Sequence, residues 1–217
     1  MEVRLVKLGI FDIDYTITRK ESMTEFYKFM LKKKPKLVKH LPSIFVTGLL
    51  YINDKIELKK AKESFASFVE GIHQDEMQQL VKEFYEKRLS KLFYKDALDM
   101  IKKLKREGYL IYLISASPEF YLREFYNIPE VDMVIGTKYR IKDQYHTCFI
   151  DGENCKGEEK VKRLMEVLKE KKLEVDFENS YMFSDSLSDL PLFNLVGNPY
   201  LINYKKGHDT IKVLKWK

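Results

Sequence analysis

Apolar residues follow two different rhythms along this chain. Residues Val3 to Phe11 form a nearly continuous run rich in Val, Leu and Ile that ends abruptly at an acid. A short unbroken apolar run predicts a strand buried on both faces. Tyr109 to Ile114 (YLIYLI) is a second such run, and Val131–Ile135, Tyr181–Ser184 and Tyr200–Ile202 are three more. Between them the period lengthens. Met23, Phe26, Tyr27 and Met30 follow i, i+3, i+4, i+7, and so do Val161, Leu164, Met165 and Leu168, which predicts two amphipathic helices. Ala97, Ile101 and Leu104, with Leu98 beside them, predict another, stopped by Gly108. Strands alternating with helices predict an α/β architecture, a doubly wound parallel sheet covered on both faces.

One stretch breaks the alternation. From about Ser22 to Leu92 helical patterns follow one another without a strand, punctuated by Pro35, Pro42, Asn53-Asp54 and Gly71. This reads as a helical insert after the first strand. The organisation expected is a core domain of residues 1–16 and 93–217 with a helical cap domain of residues 17–92. Thr137 to Ile150 (TKYRIKDQYHTCFI) is polar and aromatic by turns and predicts a small β-excursion.

Composition narrows the class. The chain has 217 residues, 45% hydrophobic and 33% charged, which suits a soluble folded protein and excludes a disordered or fibrous one. Its net charge of +6 is local: residues 17–60 hold eleven basic residues against four acids. Such a segment is a solvated helical face or a surface for an anionic partner. Cys148 and Cys155 match neither zinc spacing nor a disulfide framework, which suggests free thiols and a reducing, cytoplasmic setting. MEVRLVKLGIFDID meets charge too early for a signal peptide, and the longest apolar stretch, Leu41 to Ile52, is too short to span a bilayer.

Candidate chemistry gathers where the apolar runs end. The first ends in FDIDYT (11–16), which sets Asp12 and Asp14 side by side. In an open parallel sheet, ligands bind at the carboxyl ends of strands. Two carboxylates there need a cation, and a hard divalent ion suits oxygen ligands. The second run ends in Ser115-Ala116-Ser117-Pro118, where Ser117 reads as an N-cap with proline at the first helical position. Lys160 falls in the first turn of a predicted helix, against the helix dipole, so a nearby anion should want its charge. The fourth run ends in SDSLSD (184–189), where Asp185 and Asp189, one turn apart, can face one pocket.

In this order and spacing, FDIDYT (11–16), LISAS (113–117), NCKGEEK (154–160) and FSDSLSDLPLF (183–193) resemble the haloacid dehalogenase superfamily. SASPEF and NCKGEEKVKRL resemble its phosphoserine-phosphatase-like branch (subfamily IB). The resemblance implies a Rossmann-like core with a helical cap that closes over the site. It implies a phosphomonoester hydrolase in which Asp12 attacks phosphorus and forms an aspartyl-phosphate. Asp14 would protonate the leaving oxygen and then activate water. Magnesium would sit on Asp12, the main-chain oxygen of Asp14, and Asp185. Ser115 would hold phosphoryl oxygens, Lys160 would neutralise Asp12 and the phosphoryl group, and Asp189 would orient a metal-bound water or Lys160.

The substrate expected is a small phosphorylated metabolite. Glu21 stands seven positions after Asp14, where phosphoserine phosphatases place a glutamate that meets the substrate's amino group. No cap arginine answers a substrate carboxylate, and Tyr15 replaces the small residue usual in relatives, so both bear on specificity. Three other readings stay open. The basic segment Lys28–Lys39 followed by the apolar run Leu41–Ile52 would suit a lipid-phosphate phosphatase touching an anionic membrane. Against that, Ile44, Phe45, Leu49 and Leu50 would pack on Phe65 and Phe68 as ordinary core. The other two readings are a phosphotransferase and a catalytically silent binding protein. No RNA-binding motif interleaves aromatic and basic residues, which argues against nucleic acid.

Overall fold

The computed structural model describes residues 4–217. The expected strand start at Val3, and the first three residues of the expected core, lie outside the described residues. Along the chain come β1 (Arg4–Val6), β2 (Leu8–Phe11), α1 (Ser22–Lys33), α2 (Leu41–Ile52), α3 (Leu58–Phe65), α4 (Gln74–Lys87) and α5 (Lys95–Arg106). Next are β3 (Leu110–Pro118), α6 (Glu119–Leu122), β4 (Val131–Thr137), β5 (Tyr139–Lys142) and β6 (Tyr145–Ile150). The chain ends with α7 (Glu158–Glu170), β7 (Leu173–Val175), β8 (Tyr181–Ser184), α8 (Leu190–Phe193), β9 (Asn198–Ile202) and β10 (Lys212–Leu214).

Six strands form one parallel sheet in the order β10-β9-β8-β2-β3-β4. The chain leaves β2 toward β3 and β4, then returns to the other side of β2 for β8. The order therefore reverses beside β2, and ligands of such sheets bind at that crevice. Period-two alternation sends Leu8 and Ile10 to one face, with Met182, Leu164 and Leu168. It sends Phe11 to the other, with Phe183, Ile101 and Leu104. Helices α7 and α5 thus cover opposite faces. Gly9 lets α5 lie close, since a Cβ there would come 2.9 Å from Leu104 Cδ1.

The structure refines some sequence expectations and bears out others. The described part of this first run, Arg4–Phe11, is two strands, because β1 pairs with β7 while β2 pairs with β3 and β8. Met165 is exposed rather than part of the buried stripe of α7. The excursion at 137–150 is an antiparallel hairpin, β5–β6. Between residues 22 and 92 the described chain forms only helices and turns apart from an isolated bridge at His73. Within that stretch Ile44 packs on the core, but Phe45, Leu49 and Leu50 are exposed. Residues of α1 do form core: Met23, Phe26, Tyr27 and Met30 are all buried.

Gly197 precedes β9 where two backbone segments meet. A Cβ there would lie 2.0 Å from the Glu178 carbonyl oxygen. Backbone cannot give way as a side-chain tip can. Gly197→Ala is expected to lower unfolding free energy by about 1–3 kcal/mol, read by denaturant titration; wild-type stability would mean that the Glu178 turn shifts freely.

Candidate active site

The carboxyl ends of β8, β2 and β3 bring the motif residues together. Asp12 follows β2 directly, and its amide donates to the Phe183 carbonyl of β8 at 2.9 Å. Asp185 follows β8, and its amide donates to Thr16 Oγ1 at 2.9 Å, which ties the two loops. Ser115 lies near the end of β3 and is buried. Asp12, Asp14, Ser115, Lys160, Asp185 and Asp189 all line one pocket of about 190 Å³.

Lys160 is the centre of this arrangement. It sits in the first turn of α7 and is only 2% exposed. Its ammonium donates to Asp12 Oδ1 and to Asp189 Oδ2, each at 2.7 Å. Ser184 Oγ also donates to Asp189 Oδ2, at 2.8 Å. Burial lowers the Lys160 pKa, but Asp12 and Asp189 more than reverse this and raise it. Arg163, one turn on, fixes the start of α7. It donates to the Gly136 carbonyl at 2.5 Å and to the Glu153 carbonyl at 2.6 Å.

The acids outnumber this cation. Burial pushes the Asp12 carboxyl up to about 8 against the pull of Lys160, with Asp189 and Asp14 adding repulsion. Burial, then Asp189, raise Asp185 to about 6. Asp189 Oδ1 is buried and has no hydrogen-bond partner. Surplus negative charge and an orphaned acceptor are what a hydrated divalent cation would answer. Among the described residues no three acidic, histidine or cysteine side chains are placed to hold an ion between them. Magnesium commonly binds through one or two carboxylates while keeping several waters, so Asp12 and Asp185 could hold it without a third acidic ligand.

Asp14 is turned toward the insert. Its Oδ1 accepts from the Ser22 amide at 2.7 Å and its Oδ2 from Ser117 Oγ at 2.6 Å. Ser117 is therefore no helix cap: Pro118 holds the N-cap position of α6, and the Ser117 hydroxyl is spent on Asp14. Ser115 Oγ accepts from the Ser117 amide at 3.1 Å, which leaves its own proton free to donate. Tyr15 adopts a left-handed backbone, φ 57°, and is half-exposed at the pocket rim. Glu21 caps α1, its carboxylate accepting from the Met23 and Thr24 amides. Glu21 also lines a neighbouring cavity of about 380 Å³, with Tyr15, Thr24, Lys62 and Phe65.

Residues 10–194 match the haloacid dehalogenase-like hydrolases. The chain belongs to this family. Protein CicA of Caulobacter vibrioides is a relative 27% identical over 161 residues, covering 74% of this chain and 72% of CicA. A Bordetella pertussis Tohama I protein of unknown function shares the fold with TM-score 0.84 at 21% identity, over 98% of this chain and 99% of that one. A phosphoserine phosphatase, solved as a phospho-aspartyl intermediate analogue, shares it with TM-score 0.63 at 18% identity, over 93% and 88%. The fold is thus the Rossmann-like α/β fold of the haloacid dehalogenase-like hydrolases, and phosphoserine phosphatases share it.

The motif reading missed Lys62. This lysine of α3 lines both cavities and donates to the Ala116 carbonyl and to Asn154 Oδ1, each at 2.8 Å. A signal existed: Leu58, Ala61, Lys62 and Phe65 repeat at i, i+3, i+4, i+7, so the lysine occupies a stripe position meant for an apolar side chain. Burial lowers its pKa to about 8, although Asp14 and Glu21 oppose this.

Lys160→Met would leave two buried carboxylates without their ammonium. It is expected to cost about 3 kcal/mol of stability at pH 8.5, and less near pH 5.5, where Asp12, raised by burial to about 8, can take a proton. Denaturant titrations at the two pH values check this; an equal loss at both would show that packing, not charge, is what Lys160 supplies.

Proposed function

We propose that this hydrolase acts on phosphomonoesters through a covalent aspartyl-phosphate. The observation that carries the reading is the buried ammonium of Lys160 shared by Asp12 and Asp189 at the sheet's switch point, with Asp185 and Ser115 in the same pocket. Such a site concentrates positive charge and directed donors where a phosphoryl group carries its negative charge.

Lys160 holds Asp12 Oδ1, and Asp12 Oδ2 has no hydrogen-bond donor among the described residues. An Asp12 oxygen attacks phosphorus, the bond to the ester oxygen breaks, and Asp14 gives that oxygen its proton. Asp14 then takes a proton from water, whose oxygen displaces Asp12 from phosphorus and releases phosphate. Ser115 Oγ–H and Lys160 hold phosphoryl oxygens through both displacements. Magnesium on Asp12, the Asp14 main-chain oxygen and Asp185 would neutralise phosphoryl charge and keep Asp12 ionised at neutral pH.

We also propose that residues 17–92 act as a cap over a core of residues 1–16 and 93–217. Support comes from α3, whose Leu58 and Lys62 line the pocket beside the core's acids. A cap excludes water and selects what enters. The neighbouring cavity, with Glu21 and Thr24 facing Lys62 and with Tyr15 and Phe65 as apolar walls, suits a small substrate remainder carrying polar groups of both kinds.

Magnesium-dependent release of phosphate from an aryl phosphate is expected, abolished by chelator and reduced about 10³-fold or more in Asp12→Asn. Undiminished turnover by Asp12→Asn would sink the covalent mechanism. Lys62 should add a pH signature. Its ammonium is present below its pKa of about 8 and lost above it, so KM for an anionic substrate should climb as pH rises past 8. Lys62→Arg should keep KM flat to higher pH, and identical pH profiles of KM would remove Lys62 from substrate binding.

A further inference from the structure

Helix α2 is built inside out. Its polar side chains face the protein: the Thr47 and Ser64 hydroxyls meet at 2.8 Å, and the Ser43 and Ser64 hydroxyls at 3.4 Å. Apart from Ile44, which packs on the core, its large apolar side chains face away. Leu41, Phe45, Leu49 and Ile52, spaced by four, four and three, form one helical face, and Val46 flanks it. All five are exposed, Phe45 at 68% and Ile52 at 75%, and no residue of α2 is buried. A surface helix ordinarily shows the reverse pattern. A contiguous exposed apolar face marks a contact surface.

Charge identifies what the face meets. Between residues 32 and 60 the chain carries eight lysines and two acids, and none of these charges lies within α2 itself. Lys36 and Lys39 flank one end of the helix, Lys55 and Lys60 the other, and these four make no ion pair among the described residues. An uncharged apolar helix between free lysines complements a bilayer with anionic headgroups, acyl chains taking the side chains and headgroups the ammonium groups. A second copy of the chain fits poorly, because face-to-face pairing would bring the two sets of lysines together. A 12-residue helix is about 18 Å long, and no described helix can cross a membrane. On a bilayer such a helix would lie in the interface plane.

We propose that α2 docks this protein on anionic lipid bilayers by inserting Leu41, Phe45, Leu49 and Ile52. The turn Asn53–Glu57 leads straight from α2 to α3, whose Leu58 and Lys62 line the active-site pocket. Docking therefore sets that pocket beside the lipid surface.

Sedimentation with vesicles tests this, using phosphatidylcholine alone and phosphatidylcholine with about one-third phosphatidylglycerol. Wild type is expected to partition onto the anionic vesicles at least about tenfold more than onto the neutral ones. The pair Phe45→Asp with Leu49→Asp should lose about tenfold or more of that binding, and so should Lys36→Glu with Lys39→Glu. None of these residues lines the pocket, so hydrolysis of a soluble aryl phosphate should stay unchanged. Wild type remaining in the supernatant at low salt would overturn the proposal, as would anionic-vesicle binding that survives the Phe45 and Leu49 changes. A dimer in solution that those changes dissolve, without vesicle binding, would assign the face to a second copy and also overturn it. Vesicle binding is read without turnover, so this result and the phosphatase assay stand apart.

Discussion

An ammonium cannot stay charged out of water unless anions surround it, and the pocket is organised by that constraint. Lys160 is buried and meets Asp12 on one side and Asp189 on the other. These three side chains come from the residue just after β2, from the first turn of α7 and from the segment after β8. Their meeting requires that α7 pack on the sheet through Leu164 and Leu168 and that Arg163 hold the loops around its start. Removing the charge would leave Asp12 and Asp189 buried without the ammonium they share.

The same arrangement is unbalanced by intent of its chemistry. Two more acids, Asp14 and Asp185, line the pocket, and burial raises both Asp12 and Asp185 above the ordinary carboxylate range. A pocket with surplus acid and an orphaned Asp189 Oδ1 is incomplete as a protein interior. It is coherent as a place where a cation and a phosphoryl group arrive together, since each neutralises what the other and the protein leave over. The proposed hydrolysis follows from this complementarity rather than from any single residue.

The helical insert meets two environments with the side chains each one demands. Toward the pocket, α3 presents Lys62 within an otherwise apolar stripe. Toward solvent, α2 presents an apolar face, while its Thr47 hydroxyl meets Ser64 of α3. Both helices break the usual rule of polar outside and apolar inside, and they do so in opposite directions. The fold tolerates each exception because the core of the insert rests on other residues, Met23, Phe26, Tyr27 and Met30 of α1 with Phe68 and Phe84.

The chain by itself determined the parallel α/β class, the helical insert and the order of the site residues. Unbroken apolar runs and 3.6-residue stripes are local patterns, and the acids, Ser115 and Lys160 sit where those patterns end. Lys160 was legible because a lysine in a helix's first turn opposes the dipole. Tertiary structure decided what depends on which neighbour an element finds. Only strand partners could divide Arg4–Phe11 at Lys7, and only packing could take Ser117 from a helix cap to Asp14. Periodicity locates a stripe but does not say which side of it meets the core. The pattern of α2 therefore left Phe45, Leu49 and Leu50 open to burial or exposure, and the structure exposes all three while Thr47 meets Ser64.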